Sequence, residues 1–306
     1  VSFLGVTLGG CVHSSVYTSR VEARFPPDGE MVEVNGTDMH VLRMGQAGAP
    51  PVLFVHGASA NAHEFDWSLA PWLEDRFDLL LADRPGLGYS ERPPHGEQLA
   101  VQARQMAGLL DAMADGEPAV VVGHSLGGAV ALRMALDYPE QVKALVLLAP
   151  VTHAWETGGT GWYNHVGALP VIGPAFSQLV PIAGPEMARK GVSRTFSPDP
   201  VPENYLENSA ANLLFRPKAF RANAADLSAL RGELAAQQAR YGELSMPIVV
   251  FSGAQDTVLN PVVQAGRLKD EAPNLELVKL PDSGHMPHHA HGEDVAETIA
   301  RLAGAS

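Results

Sequence analysis

Residues 119–130, AVVVGHSLGGAV, decide the fold. The run from Ala119 to Val122 reads as a buried strand and the stretch from Leu126 to Leu136 as a helix, with Gly123-His124-Ser125-Leu126-Gly127 between them. A strand that enters a helix through so short a connection must turn sharply. The serine then sits at the apex in a strained backbone conformation, and side chains larger than glycine at the flanking positions would collide. The first N–H groups of the following helix point at the hydroxyl, where negative charge develops in acyl transfer. G-x-S-x-G alone is a weak pattern; the strand and helix on either side make it a nucleophile elbow rather than a glycine-rich turn with an inert serine.

The rest of the chain supplies the frame for such a turn. Met31 to Val34 and Met39 to Arg43 flank Asn35-Gly36 and predict a hairpin, because Asn-Gly accepts the positive φ angles of a tight turn. Apolar runs follow at Val52–Val55, Leu79–Ala82, Ala119–Val122, Ala144–Leu148, Ile248–Phe251 and Leu275–Leu280. They are rich in Val and Leu and mostly unbroken, as strands buried on both faces are. Helical stretches fall at Gln98–Ala114, Leu126–Leu136, Pro261–Glu271 and Glu293–Leu302. Alternating strand and helix predicts a doubly wound, mostly parallel α/β sheet. From Val151 to Ser245 the rhythm stops: glycine and proline crowd the first half, and Glu203 to Tyr241 is Ala- and Leu-rich. Roughly ninety residues is too long for a loop, so an inserted helical cap is expected. The domain reading is therefore 1–24 as N-terminal segment and tether, 25–150 with 246–306 as the core, and 151–245 as the cap.

A serine hydroxyl needs a base, and position selects one of twelve histidines. His285, in Asp282-Ser283-Gly284-His285, lies between the last strand and the last helix, on the sheet edge that also carries the elbow. Its neighbours His288, His289 and His291 raise a metal site as the competing idea; no carboxylate or cysteine recurs beside them at ligand spacing, so they read as exposed histidines near a helix start. His124 is expected to pack or hydrogen-bond locally. The imidazole in turn needs a carboxylate. Asp256, after the strand ending at Phe251, gives the order Ser, Asp, His, whereas Asp282 reads as a turn or capping residue. His56-Gly57-Ala58-Ser59 can turn a backbone N–H toward the serine, so the amides of Ala58 and Leu126 are the expected oxyanion hole. Asp83 to Ser90, DRPGLGYS, reads as a tight Pro-Gly turn with an ion pair at the pocket rim. Trp155, Trp162, Tyr163, Phe176, Tyr205 and Phe215 are the pocket candidates, with core packing the blander role for each.

In this order, His-Gly after the third strand, Asp-Arg-Pro-Gly-x-Gly-x-Ser, Gly-His-Ser-x-Gly-Gly, the strand-end Asp256 and the late Gly284-His285 resemble the α/β-hydrolase fold over roughly Met31 to Leu302. Members that open epoxides or remove halide carry aspartate at the elbow, and Ser125 argues against both. The resemblance implies a carboxylic ester hydrolase, esterase- or lipase-like. Lactone opening, carbon–carbon hydrolysis and cofactor-free perhydrolysis remain open on the same residues, as does a ligand-binding module that keeps the fold without turnover.

Bulk properties narrow the partners. The 306-residue chain is 46% hydrophobic, enough to bury a sizeable core. A formal charge of −13 with no Lys/Arg cluster excludes nucleic acid, and nothing calls for a cofactor. Its one cysteine excludes a disulfide framework. That cysteine, Cys11, closes Leu8-Gly9-Gly10-Cys11, which is similar to a bacterial lipobox, after an apolar run of about a dozen residues where a spanning helix needs roughly 20. The expectation is an exported, lipid-anchored protein tethered through His13 to Arg20, against the alternatives of a floppy apolar N-terminus and a cytoplasmic enzyme.

Overall fold

The computed structural model describes residues 3–155 and 160–304, with side chains from residue 9 onward. A helix, α1 (Phe3–Arg24), precedes the hairpin β1 (Glu30–Val34) and β2 (Thr37–Gly45). Asn35 and Gly36 both take positive φ, 53° and 75°, as a hairpin turn with right-handed strand twist demands. The chain continues through β3 (Pro51–Val55), α2 (His63–Asp66), β4 (Asp78–Ala82), α3 (Leu99–Met113), β5 (Ala119–His124), α4 (Leu126–Asp137) and β6 (Val142–Leu148). Five helices come next: α5 (Trp162–Ala168), α6 (Gly173–Ser177), α7 (Val180–Phe196), α8 (Tyr205–Asn208) and α9 (Pro217–Gln237), with a 3-10 turn at Ala211–Phe215. Then follow β7 (Ile248–Gly253), α10 (Arg267–Glu271), β8 (Leu275–Leu280), α11 (Pro287–Ala290) and α12 (Gly292–Ala303). Between β6 and β7 the described residues contain no strand.

The eight strands form one sheet in the order β1-β2-β4-β3-β5-β6-β7-β8. β1 pairs with β2, and β2 with β4, antiparallel; every other pairing is parallel. This is the doubly wound architecture that the run pattern predicts. Alternation along each strand divides the core in two. Leu53, Leu80, Val121, Leu145 and Val250 face α3 and α4, while Phe54, Leu79, Val122, Val146 and Phe251 face α12 with its Val295 and Ile299. With both faces covered, the strands have no need to alternate polar and apolar residues.

The N-terminus corrects the sequence reading. His13 to Arg20, expected to be a flexible tether, lies inside α1, where Ser14 is buried and most of the other residues face solvent. Tyr17 donates a hydrogen bond of 3.0 Å to the Asn212 carbonyl, Val21 buries against Leu213, and Glu22 pairs with Arg216 at 2.9 Å. The tether reading followed from the lipobox-like tetrapeptide, whereas Tyr17 of this stretch and the adjoining Glu22 find partners some 190 residues further along the chain.

Candidate active site

All the predicted residues of the reaction come from the carboxyl ends of parallel strands. Ser125 joins β5 to α4 with φ 50° and ψ −115°, a strained conformation outside the helical and extended regions. The flanking glycines are steric necessities: a Cβ on Gly123 would lie 2.6 Å from the Gly127 carbonyl oxygen, and one on Gly127 would lie 2.0 Å from that of Val55. The tight turn thus depends on both, as the elbow reading requires.

His285 and Asp256 meet across the ends of β8 and β7. The His285 Nδ1–H donates to Asp256 Oδ2 at 2.7 Å, both side chains being buried. The other carboxylate oxygen, Oδ1, accepts the Val258 and Leu259 amides at 2.7 and 2.9 Å, so the carboxylate is held on both sides. Asp282 is exposed on its turn. The loop carrying His285 is itself pinned: Ser283 Oγ and the Gly284 amide both donate to Asp199 at 2.8 Å. Gly284 admits the approach of the Ser197 carbonyl, 2.3 Å from where a Cβ would sit. The 151–245 segment therefore touches the histidine loop directly. The Ser125 hydroxyl makes no hydrogen bond among the described residues; such bonds commonly close only when substrate is present.

His124, next to the serine, bonds farther away than the expected local partner. Its Nε2–H donates to the His285 carbonyl at 3.0 Å, with ring centroids 5.1 Å apart, which ties the elbow to the histidine loop. Burial, reinforced by the neighbouring His288 and His285 rings, holds its pKa well below the ordinary imidazole value, so it stays neutral.

The loop after β3 faces the elbow: a Cβ on Gly57 would lie 3.2 Å from Ser125 Cβ. Arg84, fully buried, organises this loop. Its Nε donates to the His56 carbonyl at 3.0 Å and its NH2 to the Gly57 carbonyl at 3.1 Å. The His56 Nδ1–H also donates to the Gly57 carbonyl, at 2.9 Å, while Nε2 accepts the Arg84 amide at 3.0 Å. That pattern needs a neutral ring, and burial together with the Arg84 charge lowers the His56 pKa to about 3. In a trans peptide the N–H points opposite to the C=O. Anchoring the Gly57 carbonyl on Arg84 and His56 therefore turns the Ala58 N–H the other way. Ser59 follows at φ 61°, its amide on Asn223 Oδ1 at 2.7 Å and its hydroxyl accepting from Asn223 Nδ2 at 3.1 Å.

The ion pair expected at the pocket rim is buried instead. Arg84 NH1 meets Asp226 Oδ2 at 2.8 Å with both side chains almost wholly excluded from solvent, and Arg92 takes the other oxygen at 2.8 Å. Asp83 turns from Arg84 and accepts His40 Nδ1–H at 2.7 Å. Asn223 and Asp226 were not singled out, although two polar residues three apart in the Ala-rich FRANAADL stretch were a readable signal of one shared helix face.

Glu64 gave no signal at all. Its Oε1 accepts His288 Nε2–H at 2.9 Å and His289 Nε2–H at 2.7 Å, and its Oε2 accepts the Tyr205 hydroxyl at 2.9 Å. His288, expected to be exposed, is fully buried. Burial alone would raise the Glu64 carboxyl, but the hydrogen bonds from both histidines outweigh it and leave the pKa below the usual range. Burial and the adjacent His289 lower the His288 pKa to about 4. Ligand atoms of Glu64, His288 and His289 lie within 4.8 Å of one another, so the absence of a nearby carboxylate in sequence did not hold in space. For an ion, however, each Nε2 must offer a lone pair, which puts the proton on Nδ1. The buried Nδ1 of His288 has no partner to accept that proton, whereas metal-bound histidines usually donate it. The donor set fits a carboxylate held by three hydrogen bonds better than it fits a metal.

The aromatic pocket candidates disperse. Trp155 packs against the core, Phe215 is buried against Gly184, and Tyr205 lies between Phe196, Trp67 and His289 while holding Glu64. Trp162, 69% exposed, meets Tyr163 edge-on and Phe176 at a tilt, with ring centroids 6.1 and 5.9 Å apart. Residue type could nominate aromatics but could not orient them.

A model of the alpha/beta hydrolase family matches residues 52–298, the span that holds every strand from β3 onward and the three predicted catalytic side chains. The chain belongs to the alpha/beta hydrolase family. An uncharacterized protein of Mycobacterium tuberculosis is 29% identical over 276 residues, covering 86% of this chain and 77% of its own. The lipase LipV of the same organism is 40% identical over 115 residues, 37% of this chain and 42% of its own. Among solved structures, an esterase from Exiguobacterium antarcticum superposes with a TM-score of 0.72 at 21% identity, over 90% of this chain and 99% of that one, and so speaks to the fold alone. Membership makes this chain a hydrolase-family protein; the choice of bond rests on its own residues.

Proposed function

We propose that this hydrolase cleaves a carboxylic ester with a small or medium acyl group through an acyl-enzyme on Ser125. The observation that carries the reading is the buried Asp256–His285 hydrogen bond at 2.7 Å beside the strained serine turn. With Nδ1–H committed to Asp256, His285 presents Nε2 as a lone pair and serves as general base. Ser125 Oγ attacks the ester carbonyl carbon, its proton passing to Nε2. The oxyanion forms where the Ala58 and Leu126 amides point. Collapse expels the alcohol, which takes the proton from Nε2, and water activated by the same nitrogen releases the acid. We assign the 151–245 helices the role of a cap that limits substrate size, since Asn223, Asp226, Tyr205 and Asp199 all reach from them into the loops around Ser125.

The test is a series of p-nitrophenyl esters of increasing acyl length with Ser125→Ala beside the parent, and fluorophosphonate labelling followed by mass spectrometry. Stoichiometric labelling at Ser125 and a loss of about 10⁴-fold or more in kcat for Ser125→Ala are expected, because the triad acts as a unit. Near-parental turnover by Ser125→Ala would refute the mechanism. Labelling without ester turnover would shift the reading to lactones, dienone carbon–carbon bonds or perhydrolysis on the same serine, and neither labelling nor turnover to a binding module.

A further inference from the structure

Two stretches of this chain contain no Asp, Glu, Lys or Arg: residues 1–19 and residues 157–185. The fold sets them side by side. A Cβ at Gly10 of α1 would lie 3.1 Å from Leu179 Cδ2 at the start of α7, and Ser14 Oγ is hydrogen-bonded to Gln178. Both helices run from this contact toward the turn at Ala211–Phe215, where Val21 packs on Leu213 and Gly184 meets Phe215. Their uncharged ends are therefore together.

That end of the molecule is also where apolar side chains face solvent. Apart from Met31, Trp72, Val258 and Val262, every large apolar residue exposed among the described residues belongs to α1 or to the 162–187 stretch. Val171 is 84% exposed and Ile182 60%. Scattered exposed apolar residues need no explanation, but their concentration in two touching segments that are almost free of charge does.

Charge starts again farther along both helices, and its sign is opposite to that of the chain. α1 ends with Arg20 and Arg24 against Glu22, and α7 carries Arg189, Lys190 and Arg194 against Glu186, in a protein of formal charge −13; Arg24 pairs with Glu207 and both Arg189 and Lys190 with Glu186, so Arg20 and Arg194 are the cations without an ion pair among the described residues. At ~1.5 Å per residue the cations of α1 begin about 15 Å from Gly10. Trp162 and Tyr163 are among these exposed residues, and such rings are enriched at lipid–water boundaries. A charge-free apolar end that includes exposed aromatic rings, followed along both helices by cations, suits a lipid surface whose hydrocarbon lies beneath its phosphates.

We infer that this face, formed by the start of α1, the α5–α6 connection and the start of α7, docks the protein on the phospholipid surface of a membrane. The proposed contact lies along the lipid surface; no described helix is long and apolar enough to cross a bilayer. Exposed Cys11 lies on the same helix, so an acyl chain there would add to the attachment without being its basis. The inference is independent of the proposed reaction. Two copies of the chain pairing through the patch is the rival occupant, which the ultracentrifugation arm of the experiment separates from lipid.

The experiment uses the full, unacylated chain with Cys11→Ser and its Val171→Glu/Ile182→Glu derivative, co-sedimented with vesicles of phosphatidylcholine and phosphatidylglycerol, with analytical ultracentrifugation alongside. We expect saturable binding by the first protein and at least a tenfold weaker partition for the second, at an unchanged thermal midpoint. No vesicle binding by the first protein, or equal binding by both, would overturn the inference. So would a monomer–dimer equilibrium abolished by the glutamates without any vesicle binding, which would assign the patch to a second copy.

Discussion

Replacing Arg84 by methionine separates what the buried guanidinium does for stability from what it does for the oxyanion loop. In the single variant Asp226 keeps only Arg92, and the His56 carbonyl and Gln102 side chain each lose a donor. Breaking a buried pair by removing one partner costs about 3–5 kcal/mol. In the double variant Arg84→Met/Asp226→Leu neither charge of this pair is left buried, and Arg92, partly exposed, can turn to water. Apolar replacement of a whole buried pair is often close to neutral. The remaining deficit should be the unmet carbonyl and amide groups, about 1–3 kcal/mol. Urea midpoints should thus recover substantially from single to double variant. Activity should not follow. Loss of a complete oxyanion donor costs about 10²–10³ in kcat. Because His56 Nδ1–H still holds the Gly57 carbonyl, we expect a drop of about tenfold, equal in both variants. Recovery of kcat along with stability in the double variant would show that Arg84 does not set the Gly57–Ala58 peptide and would refute this account of the loop.

Two further outcomes follow from the same geometry. Asp256→Asn should fold and lower kcat by about 10⁴, since the amide offers Nδ1–H no anion and favours the wrong tautomer, while Asp282→Asn on its exposed turn should leave it unchanged; the reverse ranking would reassign the acid. Stability should fall with acid earlier than carboxylates alone dictate: His56 at about 3, His288 at about 4 and His124 well below its ordinary value stay neutral when folded, whereas the unfolded chain protonates near 6.5. The unfolded state then binds more protons, so stability drops as pH falls from about 6.5 toward 4, by up to ~1.4 kcal/mol per pH unit for each ring. A urea midpoint that is flat over that range would contradict the buried neutral assignments.

The strained serine turn, the strand runs and the placing of Asp256 and His285 at neighbouring strand ends were legible because each rests on a short-range pattern. A strained serine between glycines, an unbroken Val/Leu run and a Gly-His after a strand are set by sterics and burial within a few residues. The hairpin was legible for the same reason, since the positive φ angles of Asn35 and Gly36 belong to those two residues alone. What tertiary structure decided is pairwise and distant. Glu64 and His288 meet across 224 positions, Ser59 and Asn223 across 164, and Tyr17 reaches Asn212 across 195. No periodicity encodes such a meeting. Polarity made His288 look exposed, because composition reports whether a group needs a partner and not whether the fold provides one. The buried Arg84–Asp226 pair has the same origin: a charge reads as surface until a second charge from another helix, with hydrogen bonds around it, offsets the cost of leaving water.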